Sequence, residues 1–307
     1  MHPEKPYHFT LNFDVFIGCI SNAMNERKQK TKHPLIEVRS YFFQNKKNKY
    51  IFISIVVFAL CAVMDIVSRF NYPLFHSFAD MITVFIAASV FVIIWNGRYL
   101  LDNHFFLCIS IGFLFFAFFY FLHLLGNKGM GVFPQFGNMG PEFYIISRYI
   151  LSISFLIAPF FIKRKIKASV MLAVYSLVSI LILLSIFYWK NFPVCYVDGV
   201  GLTPFKIISD YVIDLFFLGA IILLLFHRRV FDARVLRFTL FSLILSIGTG
   251  LSFTLYSDPY GVMNKVGHFL QIASFYLIYV TFVETGLAKP QNLLFRNLTQ
   301  KNEEIAE

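Results

Sequence analysis

Charged residues are scarce in this chain, and their scarcity excludes an ordinary soluble domain. Only 14% of the 307 residues are Asp, Glu, Lys or Arg, whereas soluble domains carry about 25%. Hydrophobic residues make up 58% of the sequence, including 40 phenylalanines, and the mean hydropathy is +0.67. The composition therefore predicts an integral membrane protein.

Several motifs that would indicate an enzyme or a transporter are also missing. The four cysteines form no Cys-x-x-Cys pair, and no apolar stretch contains His-x-x-x-His or His-Glu-x-x-His, the pairs typical of zinc hydrolases. No nucleophile with a partnered base is evident, and the halves of the chain show no inverted repeat of the kind found in transporters. An intramembrane hydrolase or a transporter is therefore a weaker interpretation than a non-catalytic module.

Long apolar stretches dominate what is present. A membrane-spanning helix needs about 20 mostly apolar residues, and eight such stretches occur, without the alternation expected of barrel strands. The sequence thus predicts an all-α integral membrane protein, a bundle of about eight transmembrane helices. Their approximate bounds are 50–68, 75–95, 104–125, 142–161, 168–188, 205–226, 236–256 and 262–285.

Basic residues predict the orientation of these helices. Of the 27 lysines and arginines, 21 fall in the segments on the same side as the two termini, so the positive-inside rule makes both termini cytoplasmic. The net charge of +10 is then a topology signal rather than a sign of nucleic-acid binding. We expect a multi-pass protein of the cell membrane.

The chain divides into three parts on this interpretation. Residues 1–49 form a basic cytoplasmic arm that could also contact anionic lipids, and residues 50–285 form the membrane domain. Residues 286–307 place Leu294, Leu298 and Ile305 at spacings of four and seven, which is compatible with the start of a connector helix. A solvated tail is the alternative on these residues alone.

Ionisable residues inside the spans fall almost entirely in the outward half of each span. Such residues are costly at membrane depth and usually mark a site, so we expect a polar pocket that opens outward. The net negative charge of this pocket suits a cation, a metal or a protonated ligand. The same residues could instead neutralise and hydrogen-bond one another. The residues concerned are Asp65, His76, Asp80, His123, Arg148, Asp210, Asp214, Lys265 and His268.

Helical spacing groups these residues further. His76 and Asp80 are four apart and share a helix face, as do Asp210 and Asp214. The histidines His76, His123 and His268 are candidates for binding a stimulus, a metal or, on facing helices, a haem; each could instead be a hydrogen-bonded packing residue. We expect Arg148 to be a structural counter-ion for Asp80 or Asp210, and Lys265 to help set the charge of the pocket.

The outward connection at residues 191–210 has specific turn chemistry. Gly201 belongs to a compact loop, Thr203 is placed to cap the sixth helix, and Pro204 falls at its first position. The loop is therefore a candidate lid over the pocket. A well-capped hairpin without a lid function is the alternative.

Four segments together resemble the membrane-associated sensor domain family, type three. They are FHSFADMITVF (75–85), FLHLLGNKGMGVFP (121–134), FPVCYVDGVGLTPFKIISDYVI (192–213) and GHFLQIASFYLIYVTFVETGLAKPQNLLF (267–295), and the match is collinear from about residue 50 onward. The family pattern corresponds to His76, His123, Arg148 and His268. This chain departs from it with Asp rather than Glu at Asp80 and Asp210, Gln rather than Lys at Gln271, and Phe143 and Tyr144 where a Trp is expected.

The resemblance implies a bacterial or archaeal sensory input module. Such modules precede histidine kinase, PAS or GGDEF output domains, so the expected partners are a small stimulus, a cytoplasmic output domain in cis or in trans, membrane lipids and a second copy in a homodimer. The resemblance implies no ligand. The alternative is a membrane redox module that holds a haem, a metal or a quinone.

Overall fold

A computed structural model describes residues 59–100, 104–127, 130–133, 139–255 and 261–283. The chain forms two compact units, Met1–Val63 and Met64–Glu307, and the features below belong to the second, apart from residues 59–63. The predicted cytoplasmic arm and connector helix lie outside the described residues.

The described chain is almost entirely helical. Residues 59–70 are helical and are called α1 here. The helices that follow are α2 (Tyr72–Gly97), α3 (Phe105–Gly126), α4 (Gly140–Ile157), α5 (Ala168–Phe187), α6 (Pro204–Phe226), α7 (Ala233–Thr254) and α8 (Val262–Val283). Short 3₁₀ segments occur at Arg98–Leu100, Ala158–Phe161 and Arg228–Val230, and the strands β1 (Tyr196–Val197) and β2 (Gly201–Leu202) pair antiparallel between α5 and α6.

Seven of these helices are long and apolar enough to cross a membrane. They are α2 to α8, with α4 continuing through its 3₁₀ turn, and they match the second to eighth predicted spans to within a few residues. The predicted all-α, multi-pass membrane protein is thereby confirmed. Of the first predicted span, residues 59–68 are described and helical; the total of eight spans stays a prediction, as does the cytoplasmic side of the termini.

Helix α3 lies at the centre of the bundle. It packs against α2 and α4, while α8 packs against α2 and α7, and α6 against α4 and α7. Most of α3 is buried, whereas most of α5 is not. Phe113 on α3 makes edge-to-face contacts with Phe155, Phe275 and Phe282, so aromatic packing fixes α3 against α4 and α8.

Helices α2 and α6 both begin with a capping residue, at the end of the bundle where many of the polar residues lie. Asn71 Oδ1 accepts a hydrogen bond from the Leu74 amide at the start of α2, and Thr203 Oγ1 accepts one from the Lys206 amide at the start of α6. The predicted cap at Thr203 is therefore present, with Pro204 as the first residue of the helix. Because consecutive long helices run in opposite directions, the starts of α2, α4, α6 and α8 lie at the same end as the end of α3.

Candidate functional site

The carboxylate of Asp80 is the centre of a cluster of three histidines. Oδ2 lies 3.1 Å from Nδ1 of His76 and 3.3 Å from Nε2 of His123, and Oδ1 lies 3.3 Å from Nδ1 of His268. The Tyr120 hydroxyl donates a hydrogen bond of 2.8 Å to Oδ1. We call these five residues the histidine cluster; helices α2, α3 and α8 contribute them.

Helix geometry accounts for the assembly of the cluster. His76 and Asp80 are one turn apart on α2, and Tyr120 and His123 are three residues apart near the end of α3, so each pair projects from one helix face. His268 lies in the second turn of α8, about 9 Å from its start at 1.5 Å per residue. The three helices meet at this end of the bundle, and their side chains therefore converge at one depth.

A backbone carbonyl orients the His123 ring. Its Nδ1 lies 2.6 Å from the carbonyl oxygen of Gly140, the first residue of α4. A carbonyl only accepts hydrogen bonds, so Nδ1 carries the proton and donates it. The other nitrogen, Nε2, is thereby directed at Asp80.

The side chains of the histidine cluster are deeply buried, and several of their polar atoms lack a good hydrogen bond. Asp80 is fully buried, His123 and His268 are nearly so, and the His76 side chain is the most exposed of the three histidines, at 13%. Among the described residues, Nδ1 of His76, Oδ2 of Asp80 and Nε2 of His268 have no hydrogen bond of good geometry. A buried polar atom without a partner costs free energy, so these atoms are suited to accept a proton or a cation.

Gln271 adds an amide beside the cluster. It lies one turn beyond His268 on α8, is buried, and stands next to the Tyr120 hydroxyl. Within the described part of the chain, neither its amide nitrogen nor its amide oxygen has a hydrogen bond of good geometry. The cluster therefore has a neighbouring side chain that can either donate or accept a hydrogen bond.

A second polar cluster, here the ion-pair cluster, joins α4, α6 and α7. Lys206 Nζ lies 2.5 Å from Oδ2 of Asp210 and donates to the Phe253 carbonyl at 2.6 Å. Arg148 Nη2 donates to the Ser246 carbonyl at 2.8 Å and lies 3.5 Å from Oδ1 of Asp214. Each carboxylate in this cluster thus has a lysine or an arginine beside it.

Two aromatic rings separate the histidine cluster from the ion-pair cluster. The Phe253 ring lies edge-on to His268, with centroids 5.0 Å apart, and edge-on to Tyr144, at 5.4 Å. The Tyr144 ring is 5.7 Å from the His123 ring, and Lys206 Nζ is 5.8 Å from the Tyr144 centroid. The two rings therefore lie between the two groups of polar residues, and the single pocket that opens outward stays a prediction.

Lys265 belongs to neither cluster. Its Nζ lies 2.8 Å from Oδ1 of Asp65, whose Oδ2 lies 2.8 Å from Arg69. Both members of the Lys265–Asp65 pair are partly exposed. Lys265 thus joins α8 to α1 near the surface, and it has no contact with Asp80 in the described structure.

The connection before α6 is an ordered hairpin. Asp198 and its neighbours form the turn between β1 and β2, and Gly199 and Gly201 adopt positive φ angles of 81° and 105°, which favour glycine. The buried Cys195 donates its amide proton to Oε1 of Glu142 on α4 at 2.9 Å. Burial raises the pKa of the Cys195 thiol.

The candidate residues predicted from the sequence thus fall into distinct places. His76, Asp80, His123 and His268 come together, whereas Arg148 and Asp210 lie in the ion-pair cluster. The predicted pairing of Arg148 with Asp80 or Asp210 is not seen among the described residues. Arg148 lies beside Asp214, because α4 faces α6 and α7 and because Asp210, one turn nearer the start of α6, is paired with Lys206. Gly201, Thr203 and Pro204 lie in the hairpin and at the start of α6.

Sequence analysis missed three buried polar residues in or near these clusters. Lys206 counts as a connection charge in the topology argument, yet its side chain is buried; its four-residue spacing from Asp210 is the signal that could have revealed the pair. The three-residue spacing of Tyr120 from His123 in the phenylalanine-rich α3 is a similar signal. Glu142 at the start of α4 carried no comparable signal.

The histidine cluster can hold a proton or a bare cation more readily than a haem. The His76 ring lies 4.7 Å from the His268 ring and 5.4 Å from the His123 ring, measured between centroids. A haem with two axial histidines requires a porphyrin between their imidazoles. Here the imidazoles contact one another and share a carboxylate, so the space that a porphyrin needs is filled.

Comparison with known families identifies this arrangement as part of a sensory domain. The family model of MASE3, the membrane-associated sensor domain, matches residues 67–290. The match covers most of the chain and contains the histidine cluster, the ion-pair cluster and helices α2 to α8. The chain belongs to this family. No similar curated protein and no similar solved structure was found.

Proposed function

We propose that the membrane domain is a sensory input module that detects its stimulus at the histidine cluster. Membership of a sensor-domain family supports the general role. The observation that carries the site is the convergence of three histidines from three helices on one buried carboxylate. The stimulus is a small cation, a proton or a small polar ligand that reaches the cluster from the outward side, nearest to His76.

The electrostatics of Asp80 support a sensory role. In the described structure, Asp65, Asp210 and Asp214 each lie within ion-pair distance of a lysine or an arginine, whereas Asp80 has only histidines and a tyrosine. The negative charge of Asp80 is therefore balanced by histidines, whose protonation changes with pH, or by a bound cation, whose presence changes with its concentration. A stimulus that binds one arrangement of these helices more tightly shifts the population towards that arrangement.

Helix α8 and its hydrogen bonds connect the histidine cluster to α7 and α4. Helix α8 carries His268 and, two turns further on, Ser274, whose hydroxyl lies 2.9 Å from that of Ser242 and 2.8 Å from that of Ser246 on α7. The Ser246 carbonyl accepts from Arg148. A shift of α8 would thus change the hydrogen bonds of α7 and α4 together.

Helix α8 would pass the change to an output domain on the cytoplasmic side. The predicted connector at residues 286–307 follows it directly in the chain, and the output domain is a histidine kinase, a PAS domain or a diguanylate cyclase, in cis or in trans. We propose that both termini are cytoplasmic and that the module works as a homodimer in contact with membrane lipids. A sensory module of this kind transmits a signal and does not itself catalyse a reaction.

A chimaera tests this proposal. The full chain would be joined after Glu307 to the cytoplasmic part of a histidine kinase, and kinase activity would be measured in vesicles at several external pH values and with added Zn²⁺. We expect His76→Ala, His123→Ala and His268→Ala to abolish the response. His227→Ala is the matched control, because the His227 ring, among the described residues, hydrogen-bonds to the carbonyl of Leu223 at the opposite end of α6 and lies outside both clusters.

Two outcomes count against the proposal. If all three cluster variants insert normally and keep the wild-type response, the histidine cluster is not the sensing site. If His227→Ala abolishes the response as fully as the cluster variants, the loss reports general disruption of the domain.

A further inference from the structure

We infer that His76, Asp80 and His268 form a binding site for a divalent first-row transition-metal ion, with Zn²⁺ as the reference case. This inference rests on the proposed function and names the ligand class of its site. His123 is assigned the separate role of positioning the Asp80 carboxylate.

Interatomic distances support a common ion for these three side chains. One ligand atom from each of His76, Asp80 and His268 lies within 4.8 Å of the other two. Nδ1 of His76 is 3.1 Å from Oδ2 of Asp80, and Nδ1 of His268 is 3.3 Å from Oδ1. Ligands about 2.0 Å from a tetrahedral Zn²⁺ lie about 3.3 Å from one another, and each imidazole nitrogen lies at such a separation from one oxygen of the carboxylate.

The contacts of His123 support its positioning role. Its Nδ1 donates to the Gly140 carbonyl at 2.6 Å, which fixes the ring, and its Nε2 lies 3.3 Å from Oδ2 of Asp80. The ring therefore stands against one side of the carboxylate and limits the orientations that Asp80 can adopt towards His76 and His268.

The lack of lysine and arginine supports a bound cation. In the described part of the chain, no lysine or arginine lies within ion-pair distance of Asp80. Isolating a carboxylate at membrane depth is costly. A divalent cation shared by Asp80 and two neutral imidazoles offsets that cost, and it also gives a partner to Nδ1 of His76, which is without a good hydrogen bond there.

The chemistry of the donors selects the class of ion. Two imidazole nitrogens and one carboxylate oxygen suit Zn²⁺, Ni²⁺, Cu²⁺ or Fe²⁺, whereas Ca²⁺ and Mg²⁺ prefer sites made entirely of oxygen. Three protein ligands leave a fourth tetrahedral position for water or for the nearby Gln271 amide. The Tyr120 hydroxyl, which donates to Asp80, supplies the outer-shell hydrogen bond that metal-binding carboxylates usually have.

Metal binding to the purified full chain tests this inference directly. The protein in detergent would be stripped with a chelator and titrated with Co²⁺, whose visible spectrum reports tetrahedral coordination, and with Zn²⁺ in competition. His2, His8 and His33 would be replaced by alanine throughout so that histidines near the N-terminus do not contribute. We expect one ion per chain, displacement of Co²⁺ by Zn²⁺, and no effect of excess Mg²⁺.

Matched variants assign the ligands and the positioning residue. We expect Asp80→Asn and His268→Ala each to weaken binding by at least about 100-fold and to remove the tetrahedral Co²⁺ spectrum. His123→Gln should keep one ion per chain, weaken binding by about 10- to 100-fold, as for other outer-shell changes, and alter the Co²⁺ spectrum. His104→Ala and His227→Ala should bind as the parent does, and circular dichroism and gel filtration would establish that each variant is folded.

The results separate this inference from the proposed function. Absence of a stoichiometric site in the parent, or full retention of the ion by a folded Asp80→Asn and His268→Ala double variant, would overturn the metal site. The chimaera could still lose its pH response in the cluster variants, and sensing at the histidine cluster would then stand without a metal. If the purified protein binds the metal ion but the ion does not change the kinase activity of the chimaera, the metal site stands and its role in sensing is overturned.

Discussion

Lys206 and Asp210 form an ion pair one turn apart on α6, and both side chains are almost completely buried. The carboxylate accepts a second hydrogen bond from the Thr254 hydroxyl at 2.9 Å, and the ammonium donates to the Phe253 carbonyl. The pair therefore joins the start of α6 to the end of α7. Its hydrogen bonds fix the part of α7 that carries the Phe253 ring.

Removing one member of this pair should destabilise the domain strongly. Breaking a buried ion pair leaves an uncompensated charge and costs about 3–5 kcal/mol, so we expect Lys206→Met to lower the thermal unfolding temperature in detergent markedly. The double variant Lys206→Met and Asp210→Asn should recover much of the loss because no lone charge remains. A double variant as unstable as the sum of its single variants would show that the two residues act independently.

A side chain at Gly267 should disturb the histidine cluster. A Cβ atom there would lie 2.5 Å from Cε1 and 2.8 Å from Cδ1 of Phe253, a buried ring that contacts His268. We expect Gly267→Ala to cost about 1–3 kcal/mol, as overpacking does, and to weaken the response of the chimaera. Gly248→Ala is the control, since its added Cβ meets a flexible Leu270 methyl at 3.3 Å; equal effects of the two substitutions would contradict the prediction.

Cysteine labelling in intact cells should establish the orientation. With the native cysteines other than Cys195 removed, a membrane-impermeant maleimide should label Val200→Cys, in the hairpin that we expect to face outward, without permeabilisation. Arg164→Cys, in the connection between α4 and α5, should react only in permeabilised cells. The reverse pattern would place the termini outside.

The native Cys195 provides an internal reference in the same hairpin. It is buried, and its raised pKa leaves less thiolate at pH 8 than an ordinary cysteine has. We therefore expect Cys195 to react with maleimide far more slowly than Val200→Cys. Rapid labelling of both would show that the hairpin opens readily.

The cap of α6 should contribute measurably to stability. Thr203 Oγ1 accepts from the Lys206 amide and donates to the Val194 carbonyl at 2.7 Å, so Thr203→Ala loses a cap and a loop contact. We expect a loss of about 1 kcal/mol, read as a lower unfolding temperature. Thr203→Ser keeps the hydroxyl and should behave as the parent does; a similar loss in both variants would assign the effect to the missing methyl group.

The sequence predicted the depth of the polar residues better than their partners. Span bounds and helical rise place His76, His123 and His268 near one end of the bundle, and the structure brings them together. Depth does not determine how each helix is rotated about its axis. The pairing of Arg148 with Asp214, the inward side chain of Lys206 and the contact of Lys265 with Asp65 depend on those rotations, which are set by packing against neighbouring helices.

The aromatic partition formed by Tyr144 and Phe253 has an electrical consequence. Water screens charges strongly, but an apolar ring between two buried groups does not. A unit of charge gained or lost at Asp80 therefore acts on Lys206 and Arg148 as a field through the protein interior, without any displaced atom having to touch them. In this bundle, two rings rather than water lie between the clusters, so solvent does little to screen the charge of one cluster from the other.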